Sequence, residues 1–121
     1  MTGPDFRDAT DADLVAFYGE PLPHPVRAMV ADLNGVSIAV AGVMAIPDQP
    51  AVFFSDMKPE MRAFPLWILE GARRVVRQFA SPGMLAFACP EERDPAKLLC
   101  ALGFRATGMM SPSGEVFIWG R

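Results

Sequence analysis

The chain has 121 residues, the length of one domain with a single core. Apolar residues make up 51% and charged residues 21% of it, a composition that excludes disorder. The net charge of −3 argues against non-specific nucleic-acid binding. Because no apolar run approaches the roughly 18 residues of a membrane span and the start carries no signal-peptide pattern, neither membrane insertion nor secretion is expected. These features predict a single globular domain over residues 1–121.

Few side chains suit metal or nucleophile chemistry. His24 is the only histidine and lies between two prolines, so a Ser-His-Asp triad or a multi-histidine metal site is not expected. Cys89 and Cys100 lack metal-ligand spacing and are predicted to be buried, reduced thiols. No metal site is predicted.

The N-terminal segment begins with a short predicted strand over Phe6–Ala9. Thr10 follows, with Asp13 three residues later, and this capping-box pattern predicts a helix over residues 11–18. Three prolines between positions 21 and 25 then exclude regular structure.

The strongest turn signal in the chain is Asn34-Gly35, since both residues tolerate positive φ. It joins two predicted strands, Val26–Leu33 and Val36–Met44, into a hairpin. The second strand is nearly all apolar, which predicts a central position buried on both faces. A further strand is predicted over Ala51–Met57.

A long helix is predicted over Pro65–Phe79, with proline in its first turn, where its missing N–H costs nothing. A strand follows over Met84–Cys89. Next comes a helix over Asp94–Leu102, with Asp94 as its N-cap and Gly103 just past its end.

The chain ends on a predicted hairpin around Ser113-Gly114, with strands Phe104–Met109 and Glu115–Trp119. The complete order is β-α-β-β-β-α-β-α-β-β. Such an order predicts an α/β domain whose mixed sheet carries helices on both faces.

Three segments carry a resemblance to a known superfamily. Residues 6–14 resemble a strand followed by R-x-A-T-x-x-D, residues 57–62 resemble V-x-P-x-x-R, and residues 94–104 resemble N-x-x-A-x-x-L-Y-x-x-x-G-F. In this order and spacing they resemble the GNAT superfamily of acetyl-CoA-dependent N-acetyltransferases. The resemblance implies a GNAT-like mixed central β-sheet flanked by helices.

Within that superfamily the chain most resembles the short GNAT-like proteins of tailed phages, including the internal virion protein A family. The shared features are the small size, the apolar hairpin after a proline-rich loop, and a phosphate loop without glycines. This resemblance implies a protein partner or self-association, in virion assembly, and a location in the host cytoplasm or the virion.

In GNAT enzymes the turn after the fourth strand reads Q/R-x-x-G-x-G/A and binds the coenzyme A pyrophosphate through backbone N–H groups. The matching segment here is 62–67, where Pro65 replaces the first glycine and removes a donor, and Trp67 adds a large ring. The cofactor-binding positions that the resemblance implies are Phe54, Met57, Arg62, Ala63, Phe64, Pro65, Leu66 and Trp67. With this loop degenerate, we expect no bound cofactor, and acetyl-CoA binding no tighter than about millimolar.

The catalytic positions are also atypical. The usual general acid of the family is a tyrosine, and Leu99 stands at its place, while Tyr18, the only tyrosine, lies in the first helix. Asp56 and Glu60 are the nearest candidates for a general base, with solvated loop carboxylates as the alternative interpretation.

Two hypotheses follow. In the first, the chain is a GNAT-fold phage-type protein that does not transfer acetyl groups and binds a partner; in the second, it is an acetyl-CoA-dependent N-acetyltransferase with an atypical loop. Under the first, we expect Trp67 to be mostly buried, within its own domain rather than against a partner. The last strand, Glu115–Trp119, taken as a sheet edge, is a second route to association. Apolar side chains expected around the cleft are Met57, Met61, Phe64, Trp67, Met109 and Met110.

Overall fold

The structure is a computed structural model that describes residues 3–88 and 94–120. Within these residues the chain forms seven strands, three α-helices and one short 3-10 helix. Their bounds in chain order are β1 (Asp5–Asp8), α1 (Asp11–Tyr18), β2 (Val26–Leu33), β3 (Val36–Met44), β4 (Val52–Met57), the 3-10 helix (Pro59–Ala63), α2 (Pro65–Phe79), β5 (Leu85–Ala88), α3 (Pro95–Leu102), β6 (Phe104–Ser111) and β7 (Gly114–Trp119).

The strands form one sheet in the order β1-β2-β3-β4-β5-β7-β6. Neighbouring strands are antiparallel, except that β4 and β5 run parallel. Helix α1 packs on one face through Leu14, and α2 and α3 share a second apolar cluster with Val43 and Phe53. The predicted mixed sheet with helices on both faces is therefore confirmed.

The β2–β3 hairpin turns where the sequence predicted. Asn34 and Gly35 both have positive φ, 52° and 82°, and Leu33 pairs with Val36 across the turn. Two positive φ values in a two-residue loop match the right-handed twist of the strands. Strand β3 buries Val40 beneath α1, as expected for a strand packed on both faces.

A capping box begins α1, also as predicted. The Thr10 hydroxyl accepts the N–H of Asp13 at 3.2 Å, and the Asp13 carboxylate accepts the N–H of Thr10 at 2.7 Å. Arg7 of β1 donates two hydrogen bonds to Asp13, at 2.7 and 2.8 Å, and one to Asp32 of β2 at 2.6 Å. The Arg7 guanidinium holds the pKa of Asp13 far below its usual range, with help from the Thr10 N–H. One cation thus joins the first strand, the first helix and the second strand.

Three local predictions near the C-terminus are wrong. Asp94 has φ 50° and makes no capping hydrogen bond, because a side-chain N-cap needs extended backbone at that residue. Cys100 is exposed, because α3 turns its opposite face, with Leu99 and Leu102, toward the core. The final turn lies one residue earlier than expected, so Gly114 begins β7. Cys89 lies outside the described residues.

The last strand is not a sheet edge. β7 lies between β5 and β6, and the edges are β1 and β6. The last hairpin folds back so that its second strand, not its first, pairs with β5.

The 3-10 helix Pro59–Ala63 was not predicted. No described helix is long and apolar enough to cross a membrane.

Gly42 offers a test of how closely β2 and β3 approach. A Cβ there would lie 2.5 Å from the Arg27 carbonyl oxygen and 2.6 Å from the Ala28 Cβ, so Gly42→Ala should lower the free energy of unfolding by about 1–3 kcal/mol. In Gly71→Ala the new Cβ meets only the edge of the Phe6 ring, at 2.9 Å, and helix propensity improves by about 1 kcal/mol. Urea unfolding of both variants checks the contrast; equal stability of the two would contradict it.

Candidate functional site

The two parallel strands at the middle of the sheet separate almost as soon as they meet. β4 and β5 share one registered pair, Val52 with Leu85, and the Leu85 N–H donates to the Ala51 carbonyl at 2.9 Å. Beyond this pair β4 continues to Met57 and β5 to Ala88 without further pairing among the described residues. The strands therefore diverge toward their carboxyl ends, the position where open α/β sheets bind ligands.

A cleft of about 410 Å³ occupies the space between the diverging strands. Its walls are β4, the β5 residues Ala86 and Phe87, and the first turns of α3. Leu98 and Leu99 face it from α3, and Ser113 of the last turn closes one side. It is a largely apolar slot with few polar groups, the usual character of a small-molecule site.

One carboxylate lies in this cleft and has a defined partner. The Tyr18 hydroxyl, at the end of α1, donates to Asp56 Oδ2 at 2.6 Å. Burial of the phenol, and then the hydrogen bond and charge of Asp56, raise the Tyr18 pKa well above its usual value. The phenol therefore keeps its proton at neutral pH and orients the carboxylate. Oδ1 of Asp56 accepts no hydrogen bond from the residues that the structure describes, and the side chain is exposed.

Aromatic rings surround this pair on the α1 face. Phe17 packs edge-on against Tyr18, with ring centroids 5.1 Å apart, and Phe54 joins the same apolar cluster. The Lys58 ammonium lies 5.5 Å from the centre of the Phe17 ring. The polar ends of Tyr18 and Asp56 thus meet at the edge of an apolar wall.

The start of α2 offers few free N–H groups. The Phe64 N–H donates to the Met61 carbonyl at 2.9 Å, and those of Trp67 and Ile68 both donate to the Phe64 carbonyl, at 3.0 and 3.1 Å. Pro65 has none. Of the first residues of α2, Leu66 alone has an N–H without a backbone partner in the part of the chain described. An anion would find one such donor here, where a glycine loop supplies several.

The Trp67 ring does not lie in the cleft. It packs against Gly3, where a Cβ would collide with the indole, and edge-on against Phe64, with centroids 5.8 Å apart. Met61 is buried in the same cluster. This cluster also includes residues of β1, β2 and β3, and the ring does not line the cleft between β4 and β5.

The structure brings together some of the predicted site residues and separates others. Phe54, Asp56 and Met57 line the cleft, and so does Leu99 at the position of the usual tyrosine. Glu60 is exposed on the 3-10 helix and lines no part of this cleft. None of the six loop positions 62–67 lines it either.

The expectation that Met109 and Met110 lie around the cleft is wrong. Met109 and Met110 are 66% and 74% exposed on the edge strand β6 and do not line the cleft. No group of three or more His, Cys, Asp or Glu suited to a metal occurs among the described residues.

Comparison with solved structures identifies the fold. The GNAT domain of S. lividans PAT matches at a TM-score of 0.64 with 15% identity, over 94% of this chain and 88% of that one. Aminoglycoside acetyltransferase AAC(6')-Ib, in complex with coenzyme A, matches at 0.67 with 14% identity, over 98% and 95%. The yncA protein of Salmonella typhimurium, with acetyl-CoA, matches at 0.67 with 14% identity, over 97% and 91%.

The chain therefore has the GNAT fold. No family model and no curated protein sequence matches it. The structural neighbours named above are acetyltransferases or acetyltransferase domains, and they lend no support to the phage resemblance.

The Tyr18–Asp56 contact is open to a direct titration, because the chain has a single tyrosine. As pH rises past about 10, the usual pKa of tyrosine, the folded protein should show no phenolate absorbance, whereas the chain unfolded in guanidinium should titrate there. Burial and Asp56 both favour the protonated phenol, so their contribution to stability is present below pH 10 and lost above it.

Asp56→Asn should lower the Tyr18 pKa without returning it to the usual value, because burial is the larger cause. Asp48→Asn, in an exposed turn, is the matched control and should leave the titration unchanged. Absorbance near 295 nm measures both. A folded wild-type protein that titrates like the unfolded chain would contradict the contact.

Proposed function

We propose that this protein is an acyl-CoA-dependent N-acyltransferase whose reaction takes place in the cleft between β4 and β5. The observation that carries the proposal is the divergence of these strands after one registered pair, with the Asp56 carboxylate in the cleft that this opens. The GNAT fold supports it, since solved structures of this fold hold coenzyme A and acetyl-CoA. The acceptor is then an amine.

The residues present fit one part of the cofactor better than the other. The apolar cleft suits the acyl group and the pantetheine arm, which Met57, Leu98 and Leu99 would contact. The pyrophosphate would have the Leu66 N–H and the exposed Arg62 side chain. When bound, the cofactor supplies a thioester carbonyl that an amine can attack.

Asp56 is the residue that we assign to the acceptor amine. A primary amine is an ammonium ion at neutral pH and must lose a proton before it attacks, and an exposed carboxylate both attracts the cation and accepts that proton. Tyr18 is a positioning residue, because its hydrogen bond holds one carboxylate oxygen and leaves the other free. Its raised pKa makes it a poor proton donor, so the leaving thiolate takes its proton from water.

The proposal predicts release of free thiol when acetyl-CoA and small amines are mixed with the protein. Asp56→Asn should lower kcat/KM about 100-fold or more, the usual contribution of a general base. Asp48→Asn changes the same group on a remote exposed turn and should have no effect. A thiol-specific dye measures the rate of thiol release. The same measurement on Glu60→Gln tests the other predicted base.

Binding distinguishes this function from a purely structural one. With a single free N–H at the start of α2, acetyl-CoA and S-acetylpantetheine, which lacks the phosphoadenosine part, should bind within about tenfold of each other. Calorimetry measures both constants. If neither compound binds and no amine is acetylated, the transferase proposal fails.

A second candidate, a non-catalytic binding protein, is favoured by a different observation. The edge strand β6 presents Met109 and Met110 to solvent, and Met side chains are enriched where proteins bind partners. In this candidate β6, rather than β7, pairs with a strand of a partner, as in virion assembly. Sedimentation of the wild type and of Met110→Lys tests this candidate. A wild-type monomer whose Met110→Lys variant keeps its biological role would remove the basis of the candidate.

A further inference from the structure

A second cavity, of about 40 Å³, lies between helix α2 and the sheet. Its lining is almost entirely apolar and combines small and flexible side chains with the rings of Phe6 and Trp67. The lining includes Ser55, Asp56 and Met57 of β4, Ala39 and Ala41 of β3, and Leu98 of α3. An apolar surface of this kind accepts apolar ligands, so the space is available to hydrocarbon.

Small residues on both walls help to leave this space open. Strand β3 contributes Ala39 and Ala41, and α2 contributes Gly71 and Ala72. Protein interiors normally fill such gaps, and the fully buried Val75 bounds this one a turn further along α2. A larger side chain at either alanine of β3 would occupy the space.

The cavity adjoins the cleft between β4 and β5. Four residues, Ser55, Asp56, Met57 and Leu98, line both spaces and so form the boundary between them. Methionine has three rotatable bonds and adapts readily to a neighbouring group. A chain attached to a carbonyl in the cleft can therefore extend past Met57 into the cavity.

We propose that this cavity receives the acyl chain of the donor, so that the protein prefers thioesters longer than acetyl. The inference rests on the proposed N-acyltransferase function and names its donor class. A group the size of a water molecule needs at least about 10–15 Å³, so a cavity of this volume holds about three groups of that size, such as methylenes. The preferred donor then has about four to six carbons.

The transfer of a longer acyl group follows the same steps as the transfer of acetyl. The ammonium ion first loses one proton to Asp56, which passes it to water. The N–C bond to the amine then forms as the thioester C–S bond breaks. The nitrogen loses a second proton to water as the amide forms, and the leaving thiolate takes a proton from water. The length of the acyl chain changes only what is buried beneath α2.

Calorimetry with S-acetyl-, S-butyryl- and S-hexanoylpantetheine tests this inference through binding alone. Each added methylene that enters the cavity should tighten binding about fourfold until the space is full. Ala41→Val fills the cavity and should reduce the ratio of butyryl to acetyl affinity to about one. Ala106→Val adds the same methyl groups on exposed β6 and should keep the wild-type ratio.

If Ala41→Val does not fold, Ala39→Val makes the same test from the neighbouring position. Nuclear magnetic resonance provides a second measurement, because butyryl but not acetyl thioester should shift the methyl signals of Ala39 and Ala41. A wild-type ratio near one, or a ratio that the filled variants retain, would overturn the inference and leave the transferase proposal standing. Absence of binding by all three thioesters would overturn both.

Discussion

The two halves of the sheet meet at one short parallel contact, between Val52 of β4 and Leu85 of β5. Parallel strands require a crossover, and here the crossover is α2, which packs over β2 and β3. With the strands joined at one end, their other ends separate, and α3 covers part of the gap. The cleft, its carboxylate and the cavity beneath α2 all depend on this arrangement.

Much of the fold was predictable because its signals are local. The capping box at Thr10, the positive-φ turn at Asn34-Gly35 and the proline that starts α2 each act within a few residues. Such residues fix where an element begins or ends, whatever packs against it later. The bounds of α1, β2, β3 and α2 agree with the sequence prediction for this reason.

The site was less predictable because its geometry depends on tertiary packing. Tyr18 and Asp56 are 38 residues apart, and no local pattern announces their hydrogen bond. The Trp67 indole packs against Gly3, 64 residues away along the chain, and joins the apolar cluster around Met61. Likewise, the order of the elements along the chain does not tell which strand of the last hairpin pairs with β5, so the position of β7 between β5 and β6 was not predicted. A single tyrosine ending a helix beside a proline-rich loop was the one available hint of its role.

The Arg7 contacts give the site a dependence on acid. Because the folded-state pKa of Asp13 is depressed, first by Arg7, its contribution to stability is complete above the unfolded pKa of about 4 and is lost as pH falls through the lower folded value. Both side chains are partly exposed, so salt weakens the effect. Strong acid is therefore expected to weaken the Arg7–Asp13 contact at the first turn of α1, the helix that carries Tyr18 to Asp56 at its other end.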